Sequence, residues 1–336
     1  MEFGVFDHID HSGQALRDFY ATRLRLVEHY DRAGFYAYHV AEHHGTPLGM
    51  APSPALFLSA AIQRTTRIRL GPLVFILPLY NPLRLIDEIA MLDQMSGGRL
   101  ELGIGRGTSP IEAALFNSDH SQSAAVYAEA LQVILTGLTH ATLDHEGAFF
   151  RFKNIPIAIA PLQKPHPPLW IGGHSTEGAA RAARLGANYV TQDTAEASRP
   201  YTDSFRAAWR EAWPDKALPK LGLLRFIVVA DSDEEATRIA RRAYPKWHAA
   251  YDHLHRKAGM VHERAAKTAD FDVTFGGMRG IAGSPQTVTR KLREQAEIAG
   301  VNYLVGQFCF GDTTEAEVAR SIDLFARDVM PALEPL

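Results

Sequence analysis

Two adjacent histidines offer the first sign of chemistry in this sequence. Glu42, His43 and His44 directly follow residues 35–41, an apolar stretch that is typical of a β-strand. Near pH 7 an imidazole can donate a hydrogen bond, transfer a proton or bind a metal, so its placement decides its role. Because side chains alternate along an extended chain, His43 should face opposite to its two neighbours. The tripeptide can therefore direct one imidazole inward from the end of a strand.

Two glycine-containing segments could bind an anion. Arg106 lies in Gly103-Ile104-Gly105-Arg106-Gly107, where glycines let backbone approach a ligand and a guanidinium can grip a phosphate. A surface ion pair is the alternative for Arg106, and a dinucleotide fingerprint is disfavoured because the expected downstream helix and acidic residue are poorly placed. Residues 171–177 supply glycine amides, hydroxyls and a helix N-terminus, which also suit a phosphate. Ser175 or Thr176 can at the same time cap that helix.

The remaining metal ligands and the single cysteine suggest no further chemistry. Asp7, His8, Asp10 and His11 could meet His43 at the end of the first strand, but the sequence has no His-x-His there and no helical pair of histidines with a glutamate. We therefore predict no metal centre. Cys309 lies in an apolar run, which predicts a packing role.

The elements that must position these residues alternate between strand and helix along the whole chain. Predicted strands cover residues 3–7, 35–41, 68–77, 99–105, 169–172, 188–191, 221–230 and 301–308. Predicted helices cover residues 14–33, 53–64, 82–95, 121–138, 176–185, 199–213 and 233–257, with a further one from Ser284-Pro285. Eight repeats predict an α/β fold, a closed (β/α)8 TIM barrel with its site at the carboxyl ends of the strands. A doubly wound open sheet is the alternative.

Three places depart from simple alternation. Pro72 interrupts the third strand, which predicts an irregularity beside it. Residues 141–160 resemble a hairpin added over the barrel rim. Residues 258–282 form a long glycine-containing segment that is either a mobile lid or a floppy insertion. We predict a single barrel domain over residues 1–336 that carries these two insertions.

Composition narrows the class of partner. The chain has 336 residues, of which 46% are hydrophobic and 22% charged, and its formal net charge is -3. This charge gives no footprint for nucleic acid or an anionic membrane, and small molecules become the expected partners. No secretory signal pattern follows Met1, so we expect a cytoplasmic location.

Several motifs together resemble the bacterial luciferase and alkanal monooxygenase family. They are Glu42-His43-His44, Leu77-Pro78 with Asn81-Pro82, Leu92-Asp93-Gln94-Met95-Ser96-Gly97-Gly98-Arg99-Leu100, Gly103-Ile104-Gly105-Arg106-Gly107, Gly172-Gly173-His174-Ser175 and Asp328-Val329-Met330-Pro331-Ala332-Leu333. Their order and spacing match over nearly the whole chain. The resemblance implies a monooxygenase in which FMN, reduced by a separate flavin reductase, reacts with oxygen to a flavin hydroperoxide that oxidises a small, partly apolar substrate. It also implies a homodimer.

The same resemblance assigns roles to individual residues. His43 would be the catalytic histidine, with Glu42 and His44 orienting its loop. Arg106 would hold the FMN phosphate. Further phosphate contacts would come from Gly173, His174, Ser175 and Thr176. A non-proline cis peptide under the flavin ring would fall at Leu73-Val74.

Some features leave other functions open. The family's luciferases have a cysteine at the position of Gly105 and an acidic stretch after strand five, where this chain is glycine-rich. These departures argue against light emission from aldehydes. The alternatives are a deazaflavin-dependent dehydrogenase of the same superfamily, a non-catalytic flavin-binding protein and a metal hydrolase on a barrel.

Overall fold

Strands and helices alternate along the chain in the computed structural model, which describes residues 1–334 and leaves out the side chain of Met278. The strands are β1 (Glu2–Asp7), β2 (Ala37–Val40), β3 (Arg69–Pro72), β4 (Phe75–Ile76), β5 (Leu102–Gly105), β6 (Thr142–Glu146), β7 (Arg151–Pro156), β8 (Leu169–Gly172), β9 (Asn188–Thr191), β10 (Leu221–Val229), β11 (Gly280–Gly283) and β12 (Tyr303–Gln307). The helices are α1 (Leu16–Ala33), α2 (Pro54–Ile62), α3 (Pro82–Met95), α4 (Pro110–Leu115), α5 (Ser123–Thr139), α6 (Thr176–Arg184), α7 (Ala195–Ala212), α8 (Asp233–Tyr251), α9 (His253–Lys257), α10 (Glu263–Lys267), α11 (Phe271–Val273), α12 (Pro285–Ala299), α13 (Glu315–Leu324) and α14 (Met330–Leu333). Short 3₁₀ turns lie at Leu77–Leu79 and His120–Gln122, and π turns at Thr274–Met278 and Phe325–Val329.

The parallel strands close into a barrel. Their order is β3-β2-β1-β12-β10-β9-β8-β5-β4, and β3 and β4 are two halves of one strand, separated by a cis peptide between Leu73 and Val74. The nine segments of this path therefore amount to eight strands. The circle closes where Leu70 bridges to Leu100 and where Phe75 pairs with Ile104 of β5. The predicted (β/α)8 barrel is confirmed, and the open-sheet alternative was wrong.

Three apolar clusters hold this barrel together, one of which packs α8 against β10. The largest cluster fills the space between strands and helices and includes Phe75 and Leu77, each fully buried. Inside the barrel a smaller apolar cluster contains Phe6, Leu73 and Trp170. The central position of these side chains explains why the parallel strands consist almost entirely of buried residues.

Below the interior cluster lies a buried polar group. Glu101 accepts hydrogen bonds from the Tyr36 hydroxyl (3.1 Å), from the Trp170 indole and from Arg69. Burial raises the pKa of the Glu101 carboxyl above its usual value, although Arg69 opposes the effect. Burial also lowers the pKa of His39 to about 3, so this imidazole is neutral at physiological pH. These residues lie inside the barrel, away from the candidate site at its rim.

The two predicted insertions differ from expectation in their details. Residues 141–160 do form an antiparallel hairpin, β6 with β7, but it follows α5 and precedes β8, which places it at the amino-terminal rim, away from the strands' carboxyl ends. The segment 258–282 contains α10 and α11 and ends in β11, which pairs in parallel with β10. This added strand was not predicted, because its glycines concealed a strand of four residues.

A buried ion cluster joins β1 to α1. Arg23 contacts Asp7 at 3.1 Å and Asp10 at 3.6 Å, and Asp10 also accepts a hydrogen bond of 2.6 Å from the Gly311 amide. Cys309 is buried, and burial raises the pKa of its thiol to about 12. The predicted packing role of Cys309 is confirmed.

Among the helices that the structure describes, none is long and apolar enough to cross a bilayer.

Closely packed glycines form the seam where the barrel closes. A Cβ atom on Gly71 would overlap the carbonyl oxygen of Glu101, and one on Gly103 would overlap that of Pro72. A Cβ on Gly105 would overlap the side chain of Val74. The glycines on either side of Arg106 were predicted to let backbone approach a ligand, but Gly105 and Gly107 lie against Val74 and Ile76 of the third strand.

We expect Gly103→Ala to destabilise the fold by on the order of 3 kcal/mol, because the clash is with backbone that cannot move aside. Gly172→Ala is the matched control, since it changes the neighbouring strand where a Cβ would meet no atom within 4 Å. Urea unfolding of both variants checks this, with a change within about 0.5 kcal/mol expected for the control. Equal urea midpoints for the two variants would show that the close contact at Gly103 does not constrain the fold.

Candidate active site

Glu42 ties the second strand to the third at the carboxyl end of the barrel. Its buried carboxylate accepts hydrogen bonds from the Ile76 amide and the Tyr80 hydroxyl, each at 3.0 Å. Its other oxygen lies 2.8 Å from Nε2 of His44. Glu42 and His44 thus share one side of the chain, as the alternation of side chains predicted. Glu42 fixes the position of the loop that carries His43.

His43 faces the other way and is held by a residue that the sequence analysis did not select. Its Nδ1 donates to Oε1 of Glu112 across 3.2 Å, and the same oxygen accepts the His44 amide at 2.8 Å. The bond to Nδ1 orients the ring and leaves Nε2 as the nitrogen that can exchange a proton with a ligand. About a quarter of the His43 side chain is exposed.

The charge of Glu112 follows from these contacts. Its side chain is only 8% exposed. Burial raises the pKa of Glu112, but the hydrogen bonds from His43 and from the His44 amide outweigh burial and leave this pKa below its usual value. Glu112 is therefore a carboxylate near neutral pH and can accept the hydrogen bond from Nδ1 of His43.

The rings of His8 and Trp247 form an aromatic wall beside His43. The His8 ring stacks on the His43 ring with centroids 5.7 Å apart, and Trp247 donates a 3.4 Å hydrogen bond to Nδ1 of His8. Burial, with the nearby His43, holds the pKa of His8 well below its usual value. His8 is thus neutral. Its neighbours Asp7 and Asp10 bind Arg23 instead of facing the mouth.

Arg106 is exposed at the end of β5, and within residues 1–334 no hydrogen bond or ion pair engages its guanidinium. It lines a cleft together with Ile76, Ser109 and Glu112. The carboxylate of Glu112 therefore lines the cleft of Arg106 and also contacts His43. The arginine and the histidine are brought to the same mouth, as predicted.

The loop after β8 lies next to Arg106, because β5 pairs with β8. Ser175 caps α6 by accepting the Gly178 amide at 3.0 Å, so its predicted capping role is confirmed. The Gly173 amide is bonded to Val190. Thr176 begins α6, whose first-turn amides have no partner inside the helix. The Gly178 amide is occupied by Ser175, and the Thr176 and Glu177 amides can still receive an anion.

The His174 imidazole is partly exposed but already has partners. It contacts Asp193 at 2.9 Å and Arg264 at 3.0 Å. Only its backbone can contribute to a phosphate site in this arrangement.

Positive charge accumulates around Asp193. Arg264 of α10 donates to this carboxylate at 2.8 Å, and Arg279 lies 3.7 Å from it. Burial raises the pKa of Asp193, but His174 and the arginines outweigh burial and hold it below its usual value. The segment 258–282 therefore contributes two cations to the region beside the loop after β8.

Leu73 and Val74 lie between β3 and β4, next to the ends of β2 and β5. The Leu73 amide donates to Val40 at 2.7 Å, and Leu73 belongs to the apolar cluster inside the barrel. The cis peptide that the resemblance implied at Leu73-Val74 is confirmed. Two apolar side chains thus lie between the strands that carry His43 and Arg106.

Three functional candidates were missed, and only one had a visible signal. Ser109-Pro110-Ile111-Glu112 has the Ser-x-x-Glu spacing and first-turn proline of a helix start. Ser109 indeed caps α4 by accepting the Glu112 amide at 3.1 Å. The site contacts of Trp247 and Arg264 depend on how distant segments fold back, which no local pattern records.

The comparisons with known proteins agree on one family. The model of the luciferase-like monooxygenase family matches residues 1–303. An uncharacterized protein of Sinorhizobium fredii is 43% identical, covering 93% of this chain and 91% of that protein. The oxygenase component of a flavin-dependent trigonelline monooxygenase from Acinetobacter baylyi is 29% identical, covering 70% of this chain and 67% of that protein.

Solved structures share the fold. A monooxygenase from Streptomyces bottropensis has a TM-score of 0.87 at 25% identity, covering 98% of this chain and 99% of that one. The oxygenating constituent of a 3,6-diketocamphane monooxygenase from Pseudomonas putida, in complex with FMN, has a TM-score of 0.83 at 21% identity. The match covers 99% of this chain and 98% of that one. A coenzyme F420 dependent tetrahydromethanopterin reductase from Methanopyrus kandleri has 0.75 at 19%, covering 98% of each chain.

We expect Glu112→Gln to lower stability at pH 7 by about 1–3 kcal/mol, the usual worth of hydrogen bonds to a charged group. A carboxyl with a lowered folded-state pKa stabilises the fold above its unfolded pKa, and the contribution is lost as pH falls through the folded value. The difference from wild type should therefore shrink below about pH 4.5. Unfolding at several pH values measures it.

The control for this experiment is Glu294→Gln, on an exposed position of α12. It should change stability little at any pH. A difference for Glu112→Gln that stayed constant as the pH fell from 7 through the lowered folded-state pKa of Glu112 would show that its carboxylate is not held by His43 and His44.

Proposed function

Because the chain belongs to the luciferase-like monooxygenase family, we propose that it is an oxygenase that uses reduced FMN and molecular oxygen to oxidise a small, partly apolar organic substrate. A separate flavin reductase would supply the reduced FMN. One observation carries the proposal: His43, oriented by Glu112 at 3.2 Å, lies at the same end of the barrel as Arg106, whose guanidinium makes no hydrogen bond within residues 1–334. A histidine and a cation that could bind an anion are thus held on the two strand ends that flank the third strand.

The residues at the mouth fit FMN. Arg106 and the first-turn amides of α6 would bind the phosphate, since charge-assisted donors and a helix N-terminus both favour a dianion. The backbone of His174 and the hydroxyl groups of Ser175 and Thr176 would contribute there, whereas the amide of Gly173, the other predicted contact, is already bonded to Val190. A Cβ on the adjacent Gly172 would meet no atom within 4 Å, so this rim has open space for a ligand. Leu73 and Val74 would offer an apolar floor for the flavin ring.

Bound reduced FMN would supply the two electrons that activate oxygen. His43 would hold or transfer a proton through Nε2, while the carboxylate of Glu112 keeps Nδ1 occupied. Glu42 would support this by fixing its loop to Ile76, and His44 by bonding Glu42. His8 and Trp247 exclude water from one side of the His43 ring, which favours a controlled reaction with oxygen.

The aromatic wall also bears on the substrate. Phe6 packs edge-on against His8 with ring centroids 4.7 Å apart, and Trp247 contacts the same ring. A partly apolar compound would bury its surface against these rings. Phe75 and Leu77 lie in the core between barrel and helices and do not belong to this pocket.

Reconstitution tests the proposal. The protein is titrated anaerobically with reduced FMN and, separately, with the reduced deazaflavin F420, and oxygen is then added. We expect saturable binding of FMN and a rate of flavin oxidation by oxygen that differs from that of free FMN. His43→Ala should retain FMN and abolish the difference, whereas His140→Ala, at the exposed end of α5, should behave as wild type. Hydride exchange with F420 alone would overturn the proposal in favour of a dehydrogenase. Unchanged oxidation in His43→Ala would favour a non-catalytic flavin-binding protein.

Arg106→Ala should weaken FMN binding about 10- to 100-fold and riboflavin binding little, because the lost contact is to the phosphate. Arg210→Ala, on the exposed last turn of α7, is the control and should change neither affinity. Fluorescence titration with the two flavins measures both. Equal losses for FMN and riboflavin would refute the placement of the phosphate.

A further inference from the structure

Three metal-ligating side chains meet outside the candidate active site. Asp252 ends α8, His255 lies in α9 and His262 precedes α10, and one ligand atom of each lies within 4.8 Å of the others. The sequence analysis predicted no metal centre and considered only the residues around His43. Asp252, His255 and His262 are ten residues apart at most, but none of the familiar short metal motifs contains them.

The two imidazoles stack on each other, and within residues 1–334 neither ring makes a hydrogen bond. Their rings are nearly parallel, with centroids 4.1 Å apart and planes inclined by 10°. Nδ1 of His262 is buried and has no hydrogen-bond partner. It lies 3.9 Å from Oδ1 of Asp252. Within residues 1–334 no side-chain hydrogen bond engages the His255 ring.

The carboxylate is already oriented toward this space. Arg256 contacts Oδ2 of Asp252 at 3.5 Å, so Oδ1 is the oxygen that faces His262. An outer partner that fixes a ligating carboxylate is a regular feature of metal sites. Arg256 lies on the exposed side of α9.

We propose that Asp252, His255 and His262 bind a divalent first-row transition metal, with zinc as the best fit. Two imidazoles and one carboxylate suit zinc and disfavour magnesium or calcium, which prefer oxygen ligands. Zinc bonds of about 2.0–2.2 Å hold tetrahedral ligands roughly 3.5 Å apart. The side chains must therefore draw together by about an ångström, which rotation of partly exposed imidazoles allows. Water would complete the coordination.

The metal would fasten the segment that reaches the barrel mouth. His262 lies two residues before Arg264, which binds Asp193 and His174 beside the candidate phosphate site. The bound metal links this part of the chain to the end of α8. Zinc would thereby hold α10 in the position in which Arg264 lies at the mouth.

Direct zinc binding tests the proposal on the full chain without flavin, so the outcome is independent of the proposed oxygenase activity. Tag-free protein is titrated with zinc against a chromogenic chelator. We expect one zinc per chain and an affinity at least about 100-fold weaker in His255→Ala and His262→Ala, since even loss of an outer partner costs about 10- to 100-fold. His253→Ala is the matched control, because it lies in the same helix but outside the cluster.

Amide hydrogen exchange supplies the second readout. Zinc should slow exchange across residues 253–267 in wild type and in His253→Ala, but not in His262→Ala. Circular dichroism without metal confirms that each variant is folded, and His255→Gln replaces any alanine variant that is not. The proposal is overturned if wild type binds no zinc, if the His255 and His262 variants bind it as wild type does, or if His253→Ala loses it equally.

Discussion

The close contact between the third and fourth barrel strands is the constraint on which the rest of the structure depends. Gly71, Gly103 and Gly105 have no side chains because backbone and side-chain atoms of the opposite strand occupy that space. This contact closes the barrel and sets the position of Ile76, whose amide binds Glu42. The loop of His43 and the strand end of Arg106 thus take their relative positions from one seam.

A single carboxylate then connects the two candidate functions of the mouth. Glu112 lines the cleft beside Arg106 and bonds both His43 and the His44 amide. It is buried and charged, which is stable only because these donors satisfy it. The catalytic proposal therefore depends on a short helix between strands, α4, whose role is to place this group.

Most of the architecture and part of the candidate site could be predicted from the sequence. The barrel was predictable from local patterns, namely eight apolar strands and helices that begin with proline in the first turn. The same patterns predicted that His43, Arg106 and Ser175 follow strand ends. Residues such as Trp247, Arg264 and His262 escaped because their partners lie far along the chain or across a loop. The same limit applies to Gly105 and Gly107, for which the local pattern could not distinguish a neighbouring strand from a ligand.

The most direct test of this account is a crystal structure of the protein with FMN. The account predicts the phosphate at Arg106 and the first turn of α6, the flavin ring over Leu73 and Val74, and Nε2 of His43 facing that ring. FMN bound with its phosphate elsewhere, or with its ring away from His43, would contradict the account even if the fold were unchanged.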